Sequence, residues 1–166
     1  MLSLCACSSE PTLVGTATDS ANTATETPTT AASEKAFTVG DSVELDDVVV
    51  SFVDISESKG TKYFKPADGN VFLACEFEIT NNSDEDLTIS SILSFEAYCD
   101  DYTCEYSITA LSANNDKKQL DGTVAAGKKM KGIVAYEVPS DWKELEVHYT
   151  LDVLSSREIV FVATND

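Results

Sequence analysis

The ten residues from Val71 to Thr80 constrain the fold more than any other part of the chain. Val71, Leu73, Cys75, Phe77 and Ile79 take every second position, and Ala74, Glu76, Glu78 and Thr80 stand between them. Successive side chains of a strand point to opposite faces, so this period of two describes a strand with one side in a core and the other in water. Phe72 is the exception, an aromatic on the polar face. The β-branched run 48–55 reads as a second strand. Others are read at 87–89, 92–99, 102–108, 120–124, 131–138, 145–153 and 158–163. Gly40-Asp41, residues 81–86, 126–129 and 139–143 supply the turns. No segment sustains an apolar stripe at i, i+3, i+4 and i+7 beyond a turn or two, and residues 112–119 are the one place for a loop or a single helical turn. About eight short strands in roughly 130 residues predict an all-β, antiparallel β-sandwich over residues 36–166.

Residues 8–35 have a different character. Thr, Ala and Ser dominate and large apolar residues are nearly absent. Such a segment buries too little surface to offset its ordering entropy, so a disordered tether is expected, about 90–100 Å long when pulled straight.

The chain carries 29 acidic and 11 basic side chains, a formal net charge of −18. Phosphate recognition depends on clustered Lys and Arg, so the balance argues against nucleic acid. It argues equally against adsorption to anionic lipid headgroups through a basic patch. No run of 18 or more apolar residues exists to span a bilayer.

Leu4-Cys5-Ala6-Cys7 ends a short apolar run and leads directly into Ser8-Ser9 and the tether. A small residue before a cysteine at such a place resembles a bacterial lipoprotein signal peptide. The resemblance implies cleavage after Ala6, a diacylglyceryl group on Cys7, and a chain held by lipid on the extracellular face of the cytoplasmic membrane. Residues 1–7 then lie outside the folded domain. Cys5 is the other candidate, but bulky Leu4 precedes it.

Gly40-Asp41 with the strand 48–55, Gly69-Asn70-Val71-Phe72-Leu73, Glu78 to Glu85, Phe95-Glu96-Ala97, and Gly127-Lys128-Lys129 followed by residues 132–139 form a recognisable series. On these residues the folded part resembles the Gram-positive lipoprotein family known as domain of unknown function 4352. The series spans about residues 37–162. The resemblance implies an immunoglobulin-like fold akin to a mycobacterial secreted immunoprotective antigen. It transfers no catalytic residue.

Several constellations invite chemistry. Cys99 and Cys104 flank a short hairpin, and a disulfide between them is expected outside the membrane. Cys75, on the apolar face, reads as a buried thiol. A zinc site would draw on Cys75, Cys99, Cys104 and His148, but a four-residue gap is loose for zinc and His148 faces away from the core. His148 is the single histidine, there is no G-x-S-x-G elbow, and Glu146 and Thr150 share its outward face, so a solvated position is expected rather than a triad. Asp46-Asp47, Asp84-Glu85-Asp86 and Asp100-Asp101 offer calcium ligands without EF-hand spacing. Trp142 reads as a plug at the sandwich end. No cofactor or metal is assigned. The expected function is a non-enzymatic surface domain that binds a protein or envelope component, with loops 57–70 and 112–120 as contacts; a small-molecule or cation carrier is the alternative.

Overall fold

The computed structural model describes residues 10–16, 36–151 and 157–165. The alternating stretch becomes β5 (Asn70–Asn81), with β4 (Val48–Ser58) on one flank and β10 (Lys129–Pro139) on the other, both antiparallel. β3 (Ser42–Leu45) and β1 (Thr12–Gly15) extend the sheet in the order β1-β3-β4-β5-β10. The second sheet runs β2 (Phe37–Thr38), β12 (Glu158–Thr164), β11 (Glu144–Thr150), β7 (Phe95–Cys99) and β8 (Tyr102–Cys104). A two-stranded ribbon of β6 (Leu87–Ile89) and β9 (Gly122–Val124) contributes Ile89 and Val124 to the core. The two sheets form a β-sandwich.

All five inward residues of β5 enter that core, as their period requires. Phe52 stacks on Phe77 at 4.5 Å, while Phe161 meets the edges of both and Phe95 lies 5.2 Å from Phe77. Four rings, two from each sheet, thus join the layers. Trp142 is buried, and its Nε1–H donates to Glu57 at 3.2 Å.

The differences from the sequence reading have local causes. Thr12–Gly15 was expected within the tether and instead pairs with β3. Residues 1–9 and 17–35, with the remainder of that tether, lie outside the described residues. Among the described residues β2 runs parallel to β12, and an isolated bridge between Gln119 and Ile133 is parallel too; the other strand pairs are antiparallel. The register slips between Phe52 and Asp54, a bulge that turns both Val48/Val50/Phe52 and Ile55 toward the core despite their opposite parity. The strand expected to begin at Ile92 begins at Phe95, because Ile92 and Leu93 sit in a turn closed by Ser94 N–H to Ser90 C=O. The strand expected at 102–108 stops at Cys104. Ser107 then caps a helix, α1 (Ile108–Ala113), its Oγ accepting from Ala110 N–H at 3.1 Å. That helix explains Phe72, which packs beneath it with Ala110 and Ala135 in a second apolar cluster on the outer face of the sheet.

Candidate binding groove

β8 is the last strand of one sheet and β10 the last of the other, and the chain crosses between them. Asp100 and Asp101, at φ 49° and 68°, form the tight turn that folds β8 back on β7. Tyr106 then bridges to Tyr136 of β10, and Ser107 N–H donates to Ala135 C=O at 2.8 Å. Beside this crossing lies a cavity of about 580 Å³. Its apolar rim is Ile92 and Ile108, which are 61% and 70% exposed. Phe95, Ala97, Cys104, Tyr106 and Tyr136 wall it.

Tyr136 is 2% exposed, and its hydroxyl has no hydrogen-bond partner. Burial, and then the neighbouring Cys75 and Cys104, push its phenol well above the ordinary value. Tyr106 is raised too, first by burial, with Asp121 adding and Ser91 opposing. Its hydroxyl lies by Ser91 without a well-formed hydrogen bond. Ser91 is itself committed, donating to Asp121 at 2.7 Å and accepting from Gln119 at 2.9 Å. The groove therefore combines apolar walls with two lining tyrosines whose hydroxyls are unpaired, the composition of a ligand site.

A second hollow of about 510 Å³ adjoins the groove, lined by residues of both β8 and β10. It is lined by Cys99, Cys104 and the acids Asp100, Glu105, Glu137 and Asp141. Cys99 and Cys104, the pair expected to form a disulfide, stand as two thiols in this structure. The register sets Cys99 opposite Tyr102 and Cys104 opposite Ala97, so the pair shares a face on the diagonal, and the Cys104 thiol donates to Tyr102 C=O at 3.8 Å. Burial pushes the Cys99 thiol up to about 12 and Cys75 higher still. These are protonated, unreactive sulfurs.

His148 does not join them. It sits on the outer face of the second sheet, its ring nitrogens 3.3 Å from Glu146 and 3.1 Å from Glu158, edge-on to Tyr98. That face is the one expected, but the side chain is only 16% exposed rather than solvated. The acidic turns also lie apart. Asp46-Asp47, at φ 50° and 60°, and Asp100-Asp101 occupy left-handed turn positions that aspartate tolerates. Three carboxylates of the acidic turns are in use: Asp46 pairs with Arg157, Asp100 accepts from Lys143 and Glu144 N–H, and Asp86 accepts from Ala126 N–H. Among the described residues no group of three or more His, Cys, Asp or Glu is placed to hold a metal, and no helix is long and apolar enough to cross a membrane.

Cys7 and Cys5 lie outside the described residues. The expected contact loops are elsewhere from the groove. The 112–120 segment is fastened down by Lys117, 2.7 Å from Glu76, and by Leu120 N–H to Ile133 C=O. Sequence reasoning missed Ile92, Tyr106, Ile108 and Tyr136; the available signal was aliphatic residues beside Ser90-Ser91 and Ser107, where no strand alternation accounts for them.

Residues 37–159 match the family described as Domain of unknown function (DUF4352). The chain belongs to that family. No curated protein matches it by sequence. Among solved structures it resembles Bacillus subtilis ycdA, described as a "putative lipoprotein", with a TM-score of 0.60 and 20% identity over 72% of this chain and 37% of that one. It thus spans little more than a third of ycdA. It also resembles the B. subtilis yjhA protein (TM-score 0.55, 13% identity, 78% of this chain and 99% of that one). An uncharacterized beta-sandwich protein from Clostridium difficile gives a TM-score of 0.50 at 14% identity, over 82% and 100% of the two chains. At these identities the likeness is one of fold.

Proposed function

We propose that this DUF4352 chain is a non-enzymatic lipoprotein of the cell surface, anchored through Cys7, whose immunoglobulin-like sandwich holds an apolar-bodied ligand, a protein segment or an envelope component, in the groove between β8 and β10. The observation that carries the reading is a 580 Å³ cavity rimmed by exposed isoleucines and lined by Tyr136, whose buried hydroxyl has no partner. A ligand that fills the cavity and meets the hydroxyl removes exposed apolar surface and an unpaired donor together. The absence of catalysis is supported by His148, whose two nitrogens face carboxylates, and by the raised thiols. The anchor is supported by the residues at Cys7 and by the likeness to ycdA.

Two experiments test this. The intact mass of protein from native-host membranes should match a chain beginning at Cys7 plus a diacylglyceryl group; an unprocessed chain would contradict the anchor. A panel of envelope fragments and apolar amines and alcohols should include a compound that raises the melting point of the wild type and not of Tyr136→Phe. Equal stabilisation of both would contradict the groove.

A further inference from the structure

The strand pair β4–β5 is joined by a loop whose charge is opposite to that of the molecule. Residues 58–66 hold Lys59, Lys62 and Lys65 and no acid, three of the 11 basic side chains of a chain with net charge −18. All three lysines are exposed, and none makes an ion pair among the described residues, unlike Lys117, Lys129 and Lys131, which are spent on Glu76 and Glu78. Between them stand Tyr63, 81% exposed, and Phe64, 41% exposed. Lys62 Nζ lies 5.7 Å from the Tyr63 ring centre.

The loop is built to hold these side chains out. Thr61 N–H donates to Phe64 C=O at 2.7 Å, and Thr61 Oγ1 accepts from the N–H groups of Tyr63 and Phe64. Gly60, at φ +77°, permits the turn: a Cβ there would stand 2.1 Å from Phe64 O. Glu137 ties down the loop base by accepting from Ala67 N–H and Asn70 Nδ2. Two adjacent exposed rings on an ordered turn, ringed by unpaired ammonium groups, match the boundary between headgroups and acyl chains, where aromatics partition and lysines meet anionic phosphates. The negative charge elsewhere is damped beyond a Debye length of about 8 Å at physiological salt.

We propose that the 58–66 loop docks the domain on an anionic phospholipid surface, with Tyr63 and Phe64 entering the interface and Lys59, Lys62 and Lys65 contacting phosphate. The inference is independent of the acyl anchor, because the full chain carrying Cys7→Ser is the protein tested. Flotation with vesicles containing about 30% phosphatidylglycerol is compared with phosphatidylcholine alone, at about 0.1 M salt. The expected result is binding to the anionic vesicles that falls about a hundredfold in Lys59→Gln/Lys62→Gln/Lys65→Gln and about tenfold in Tyr63→Ser/Phe64→Ser. The control Lys118→Gln/Lys128→Gln should retain it, and unchanged melting points show that the variants fold. No preference for anionic vesicles, or an equal loss in the control, would overturn the proposal. So would binding to soluble poly(glycerol phosphate) without binding to vesicles, which would make the loop a reader of a phosphate polymer.

Discussion

Tyr136 and Tyr149 are both buried and both end in a hydroxyl with no partner, yet they sit in opposite sheets and different surroundings. Tyr149, on β11, is enclosed between the layers with its ring 5.1 Å from Phe95, and it is not among the residues that line the groove. Tyr136, on β10, shares a face with Val134 and Val138, but it stands on the last strand of its sheet and lines the groove. Phenylalanine would fill either space without an unpaired donor. At Tyr149 the hydroxyl is a cost enclosed by the core; at Tyr136 it is a cost that a ligand can relieve.

The comparison can be broken most forcefully from the closed side. Phe77→Ala removes the ring that touches Phe52, Phe95 and Phe161 and should lower stability by about 3–5 kcal/mol in urea denaturation. A loss under 1 kcal/mol would mean that the layers are not joined there. Tyr136→Phe and Tyr149→Phe should each raise stability by about 1 kcal/mol, since each deletes an unsatisfied buried group. Only the former should alter ligand binding. Ser107→Ala loosens the cap that presents Ile108 and should cost about 1 kcal/mol. Ile108→Ser should change stability by less than about 0.5 kcal/mol while weakening any groove ligand.

Alkaline pH sharpens the contrast in another way. Cys75, Cys99, Tyr136 and Tyr149 all titrate higher in the folded chain than their ordinary values of 9.0 for cysteine and 10.0 for tyrosine. The unfolded chain gives up these protons first. Stability is therefore fully present below about pH 9 and lost as pH rises above it. Lys117, raised by Glu76, adds to the same loss above its ordinary 10.5. At the acid end Glu76 is lowered below 4.5, first by Lys117 and then by Lys131, so its contribution is present above that value and lost as pH falls. Melting temperatures should form a plateau between these limits. Tyr136→Phe should fall less steeply than wild type on the alkaline side.

Much of the closed region was legible in the sequence. The five apolar residues of β5 declared a strand, its inward face and the sandwich, because period two has one simple physical meaning. The bulge at Val53 was not legible, since it changes parity without changing composition. The Asp-Asp pairs looked like cation ligands because turn residues and calcium ligands are the same amino acids; only their positive φ values tell the two uses apart. The groove was the least legible part. It exists where two chain segments far apart in sequence meet, at the Tyr106–Tyr136 bridge, and no local pattern encodes that meeting. The basic loop was hidden by its own context, because a net charge of −18 argued against any basic patch.

The most direct test is a 1H–15N NMR titration of the full chain, and of Tyr136→Phe, with a panel of small apolar amines and alcohols. The account predicts amide shifts clustered at Ile92, Ala97, Cys104, Tyr106, Ile108 and Tyr136, weakened several-fold or more in the variant. Shifts gathered around the acidic turns, or a groove response unchanged by Tyr136→Phe, would contradict the claim that the unpaired hydroxyl marks the site where this domain binds.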